Sequence, residues 1–88
     1  MNRLSLLIIG ILLHHEATNA TNAMSLAEII ECEEFQIKAN TIYKQLKDLE
    51  SKSFVACGLK DGKAHTYYVT LKGINFLKEI KKQNGEEL

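Results

Sequence analysis

Thr41-Ile42-Tyr43-Lys44-Gln45-Leu46-Lys47-Asp48-Leu49-Glu50 places apolar side chains at 42, 46 and 49 among polar neighbours. That i, i+4, i+7 spacing sets Ile42, Leu46 and Leu49 on one narrow stripe of an α-helix. At about 100° per residue, Asn40, Lys44, Lys47 and Ser51 then fall on the opposite side, flanked by Thr41 and Asp48. Asn40 is a good N-cap, so the helix is expected to begin after it and to end near Lys52.

Downstream the period changes from helix to strand. Phe54–Leu59 and Ala64–Val69 are rich in β-branched or aromatic residues, and Lys60-Asp61-Gly62-Lys63 lies between them. Asp-Gly is a strong hairpin-turn signal. Of Tyr67 and Tyr68, alternation predicts one buried and one exposed. Thr70 is placed to cap a last helix, from Leu71 to about Gln83, with Leu71, Ile74, Leu77 and Ile80 at helical spacing and Asn84-Gly85 as its stop.

Upstream, Ser25-Leu26-Ala27-Glu28 has the form of a capping box and opens a short helix that fades near Phe35. Residues 16–24 read as a polar, small-residue loop. The segment before them, from about Leu4 to His15, is apolar on nearly every side, and a helix of that kind is buried on more than one face. One face is expected to serve the core and another a second subunit. The residues expected at that dimer interface are Leu4, Leu7, Ile8 and Ile11, with Leu77 and Ile80 of the last helix. Which side of the first helix does which cannot be separated by pattern alone.

Helix, helix, helix, hairpin, helix is the order of a winged helix-turn-helix, an α+β fold that is mostly α. The 88 residues allow one small domain, spanning 1–88, and folding at that length buries only about 60–65% of the chain's surface. The formal net charge is zero but unevenly spread: residues 1–35 carry −4, residues 36–82 carry +6 and residues 83–88 carry −2. A basic stretch that includes the polar helix and the hairpin fits a surface facing nucleic acid.

The third helix is where that chemistry would lie. Asn bonds adenine in a bidentate way and Lys reaches guanine acceptors, which suits Asn40, Lys44 and Lys47, with Thr41 and Ser51 beside them. Lys38, just before the helix, is placed for a phosphate, and Tyr43 either contacts a phosphate or packs at the helix edge. Lys60 and Lys63 flank the wing turn and are expected to reach the DNA backbone or minor groove. Asp48 is discordant unless it pairs with Lys44 or Lys52 at i±4.

Thr41 to Glu50 resembles the recognition-helix segment of PadR-family regulators, a Thr-apolar-Tyr-x-x-Leu-x-x-Leu-Glu pattern. Ser51–Val55 resembles the family's exit into the wing, Tyr67–Gly73 its return strand and next helix cap, and Leu4–Leu13 its apolar first helix. MarR-type winged helices share parts of this. The resemblance implies a homodimeric transcriptional repressor that binds a two-fold operator in double-stranded DNA. Asn40 stands where the family has Gly. Too few residues follow Gln83 for the family's long C-terminal dimerisation region, so no separate effector domain is expected.

Other chemistries find less support. His14-His15-Glu16 has no further ligands at metal spacing, and a helix-end role is favoured. Cys32 and Cys57 form no C-x-x-C and no disulfide framework. No Ser/His/Asp set, paired carboxylate or Gly-rich phosphate loop stands out, so neither catalysis nor a cofactor is expected. Leu4–Leu13 after Arg3 superficially resembles a secretory signal, but the remaining short helices need it as their apolar partner, and it is too short for a membrane span. A bacterial-type cytoplasmic setting is expected, and no small-molecule effector can be named. The near-zero net charge and Asp48 keep a second reading open, a winged-helix protein-interaction module without DNA binding.

Overall fold

The computed structural model describes residues 3–32, 36–59, 62 and 64–83, with side chains of the last helix described up to Ile80. Its elements run α1 (Arg3–His14), β1 (Met24–Ser25), α2 (Leu26–Cys32), α3 (Ala39–Ser51), β2 (Val55–Cys57), β3 (Thr66–Val69) and α4 (Leu71–Gln83). This is the order read from the sequence, with one addition. β1 pairs antiparallel with β3, Met24 opposite Tyr67 and Ser25 opposite Thr66, and turns the hairpin into a three-stranded sheet of order β1-β3-β2. Two residues are too few to show alternation, and Ser25 was already accounted for as a cap.

It is both. Ser25 N–H donates to Glu28 Oε1 at 3.0 Å, and Glu28 N–H donates to Ser25 Oγ at 3.2 Å. The two bonds close the capping box as α2 leaves the strand. Thr70 likewise caps α4, its Oγ1 accepting from Gly73 N–H at 3.1 Å. The expected cap of α3 is not the one used. α3 begins at Ala39, and Lys38 is the N-cap residue, with extended backbone (φ −61°, ψ 139°) and no side-chain capping bond. The Lys38 carbonyl accepts from Thr41 N–H at 3.0 Å and Ile42 N–H at 3.1 Å. These bonds start the helix before Asn40, which sits exposed inside the first turn.

α1 is the hub. Ser5, Ile8, Ile9 and Leu12 face inward and are buried, and α1 meets α2, α3, α4 and β3. From α3 come Ile42, Leu46 and Leu49, each at most 1% exposed, and from the sheet Val55, Tyr67 and Val69. Each such aliphatic side chain contributes about 1.5–3 kcal/mol on burial. Tyr67 is 1% exposed, as expected for one of the pair, but Tyr68 is half-buried against the core rather than exposed.

The strands are shorter than the expected stretches because their ends have other duties. The Phe54 carbonyl accepts from Thr70 N–H at 3.0 Å and its ring stacks on Phe76 at 4.6 Å, so Phe54 serves the seat of α4. In the hairpin connection Gly62 has φ +64°, the left-handed backbone an Asp-Gly turn requires. Asp61, Asn84 and Gly85 lie outside the described residues, as does Phe35, where α2 was expected to fade. No helix among the described residues is long and apolar enough to cross a membrane.

Gly73 is fixed by packing. An added Cβ would collide with the Phe54 carbonyl oxygen and lie 2.8 Å from Val69 Cγ2. Gly73→Ala is therefore expected to destabilise by about 1–3 kcal/mol, although alanine is the better helix former. A melting curve checks the sign, and a rise in Tm would show that the α4–β3 seat is loose.

Candidate nucleic-acid interface

The core stripe orients α3. With Ile42, Leu46 and Leu49 inward, the remaining positions fall into three sides by helical geometry. Asn40, Lys44 and Ser51 point most directly away from the core; all three are exposed. Thr41, Gln45, Asp48 and Lys52 lie on the side towards α1, where Gln45 Nε2 donates to Ser5 Oγ at 2.6 Å. Tyr43, Lys47 and Glu50 lie on the side towards the sheet. Tyr43, 41% exposed, lines a cleft with Ser25, Leu26, Ala27, Ala64, His65 and Tyr67.

The two halves of α3 differ electrostatically. In its second half the charges are paired: Lys47 Nζ donates to Glu50 Oε1 at 3.2 Å and Lys52 Nζ to Asp48 Oδ2 at 3.0 Å. The discordant carboxylate of Asp48 thus finds the i+4 lysine. Ser51 Oγ donates to the Asp48 carbonyl at 2.6 Å, a backbone bond within the helix. In the first half, Lys38 and Lys44 are exposed and carry no ion pair among the described residues, and Asn40 and Thr41 stand exposed beside them.

Lys47 therefore does not match Lys44, although the sequence placed them together. Its ammonium sits 5.6 Å from the Tyr43 ring centroid and 6.0 Å from that of Tyr67, within cation–π reach. Glu50 also accepts from Cys57 Sγ–H at 2.8 Å through Oε2. The thiol bond, followed by the Lys47 ammonium, holds the Glu50 carboxyl below the usual carboxylate range. Glu50, with partial burial added, pushes the Cys57 thiol up, so that it stays protonated and able to donate. Glu50 and Cys57 were missed from sequence. The signal available was Lys47-x-x-Glu50, an i, i+3 pair; the cysteine's part depends on α3 packing against β2.

Lys60 and Lys63 lie outside the described residues. The expected dimer residues separate. Ile8 at 1% and Leu77 at 8% exposure are buried within the protomer and have little surface left for a second subunit. Leu4 and Ile11 are half-buried against the core, and Ile80 is half-buried. Leu7 and Gly10 fall on the side of α1 opposite the core stripe. The rings of His14 and His15 meet edge-on at 5.1 Å. Among the described residues, no three His, Cys, Asp or Glu are grouped so as to hold a metal ion.

No protein-family model matches the chain, and no curated protein does. Solved structures do. TubR from Bacillus megaterium pBM400 superposes with a TM-score of 0.78 at 24% identity, covering 91% of this chain and 86% of that one. The chain is a winged helix. A PadR-family transcription regulator from Clostridium difficile R20291 matches at TM-score 0.69 and 26% identity, over 94% of this chain and 86% of that one. MepR of S. aureus, solved as a DNA complex, matches at TM-score 0.75 and 15% identity, over 98% of this chain and 66% of that one. Other MepR structures are covered for about 60% of their length. The likeness to a PadR-family protein thus covers nearly the whole chain and is shared with TubR and MepR; the PadR-family protein and MepR are transcription regulators.

The geometry around Glu50 has a chemical consequence. Cys57 is exposed, yet its thiol is held protonated by the carboxylate beside it. Iodoacetamide should alkylate it slowly for an exposed thiol at pH 8, and Glu50→Gln should speed the reaction, as followed by mass spectrometry. Equal rates in the two proteins would show that the Cys57–Glu50 bond does not persist in solution.

Proposed function

We propose that this chain binds double-stranded DNA sequence-specifically, as a homodimeric transcriptional regulator acting as a repressor. One observation supports the reading: the first half of α3 presents Lys38, Asn40, Thr41 and Lys44 exposed, with no ion pair among the described residues, on the helix that a winged helix lays in the major groove. Asn40 and Lys44 are the side chains for base edges, while Lys38 and Thr41 suit phosphates. Ser51 lies at the far end of the same outward line. Lys60 and Lys63 of the wing are proposed to meet the backbone or minor groove beside the site, positioning without specifying.

Dimer formation follows from α1. Its outward side offers Leu7 and Gly10, edged by Leu4 and Ile11. Gly10 lets two helix backbones approach closely beside Leu7, with the exposed Arg3 and His14 at either end of the same side. Ile80 of α4 would extend the contact. Two-fold pairing would set two reading helices about 34–36 Å apart, one DNA turn, and a dimer seated on such an operator would exclude polymerase from an overlapping promoter. The MepR–DNA complex supports duplex DNA as the ligand of this fold. The whole of 1–88 is proposed to act as one DNA-binding domain, in the cytoplasm.

The test is a salt series on duplexes selected from genomic fragments by the purified protein. Lys44→Ala should weaken binding and reduce the slope of log affinity against log salt by about 0.9. Asn40→Ala should cost about 1–3 kcal/mol of discrimination at one base pair with the melting curve unmoved, because Asn40 is not the cap. No affinity for any duplex at 50 mM salt would favour the protein-interaction reading instead.

For the dimer, Leu7→Glu should shift sedimentation at micromolar concentration from dimer to monomer with helical content retained. A wild-type protein that sediments as a monomer throughout would defeat the two-fold arrangement.

A further inference from the structure

A lysine on an exposed helix face ordinarily adds one cation to the attraction for phosphate. Lys47 is differently placed. It faces Glu50 Oε1 at 3.2 Å, with the rings of Tyr43 and Tyr67 beside it. An exposed ion pair by itself exchanges readily for another partner, but Glu50 is also held from the sheet by Cys57 Sγ–H on its second oxygen, at 2.8 Å. A Lys47 that swung out to a phosphate would leave behind a fixed carboxylate, its charge uncovered and close to DNA.

We propose that Glu50 sets how many cations α3 offers to phosphate: it keeps Lys47 out of the set of phosphate-binding cations and so restrains electrostatic attachment to duplex DNA of any sequence. The proposal rests on the DNA-binding reading above. Non-specific attachment is almost wholly electrostatic, whereas specific binding adds base contacts, here from Asn40 and Lys44. Withholding one cation therefore lowers both by a similar factor and leaves the base contacts untouched. The Lys47 ammonium, held above its ordinary range chiefly by its hydrogen bond to Glu50, is consistent with this pairing.

The experiment compares wild type, Glu50→Gln, Lys47→Ala and the double variant on a selected duplex and a scrambled duplex of equal length, from 50 to 200 mM salt. Melting curves establish that each variant is folded. Glu50→Gln is expected to steepen the salt slope by about 0.9, so that its affinity falls about 3.5-fold further than that of wild type across this range. It should gain about equally on the scrambled and the selected duplex, because a phosphate contact positions without specifying. Lys47→Ala alone should move the slope by less than half as much, and the double variant should return to the wild-type slope. An unchanged slope in Glu50→Gln, or a full loss of about 0.9 in Lys47→Ala, overturns the proposal.

A second measurement needs no DNA. Lysines are dimethylated with ¹³C, Lys47 is assigned by its loss in Lys47→Arg, and its titration is followed by NMR. The midpoint should fall in Glu50→Gln; an unmoved midpoint overturns the pairing. If wild type binds no duplex at 50 mM salt, the DNA-binding reading fails and the role of Glu50 in DNA attachment falls with it. A fallen NMR midpoint would still show the pair itself to be intact.

Discussion

Everything that α3 presents depends on how Ile42, Leu46 and Leu49 are buried. The stripe is narrow, and all three side chains are at most 1% exposed, so a small rotation of the helix would bring one of them to water at about 25 cal/mol per Å². The Gln45–Ser5 hydrogen bond adds a directional restraint between α3 and α1. Ser5 is fully buried, and a buried hydroxyl left without a partner costs about 1–3 kcal/mol. Hydrophobic burial sets which side of α3 faces inward; the polar bond narrows the angle further. The exposed first half is therefore presented by a helix whose rotation is already fixed.

Patterns that are local in sequence were readable, and for local reasons. The capping box at Ser25 and Glu28, the cap at Thr70, the α3 stripe and the Asp48–Lys52 pair each join residues within four positions of one another. Their outcome depends on helical geometry alone. Asn40 has the chemistry of a cap, but the helix starts earlier, on the Lys38 carbonyl. The other failures depend on distance. β1 exists because β3 offers it an edge. The first helix could not be divided by periodicity since nearly all its positions are apolar; only the placement of α3, α4 and the sheet around it makes Ile8 core and leaves Leu7 and Gly10 outside.

The same distinction governs the electrostatics. Counting charge along residues 36–82 gives a basic stretch, and counting the outward face of α3 gives Lys44 and Lys47 equal standing. In three dimensions the second half of α3 pairs its own charges, and one of its carboxylates is anchored to a neighbouring strand by a thiol. The positive character of the helix is concentrated towards its N-terminal half. A neutral chain can thus present a basic edge without being basic, and the strength of that edge is set by which lysines have partners rather than by how many there are.

That placement also links stability to pH. The Glu50 carboxyl is held below its ordinary range first by the Cys57 thiol and then by Lys47. A depressed folded-state value contributes stability above the unfolded carboxylate range and loses it as pH falls through the folded value. The contact between α3 and β2 should then be fully supported at neutral pH, weakening in acid as Glu50 is protonated and in alkali as the raised Cys57 thiol loses its proton. Since β2 leads into the hairpin, the same carboxylate that pairs with Lys47 also ties the wing to α3. Charge pairing and geometry then rest on one side chain. Replacing it by glutamine keeps hydrogen-bonding atoms in place while removing the charge, which allows the two roles to be told apart.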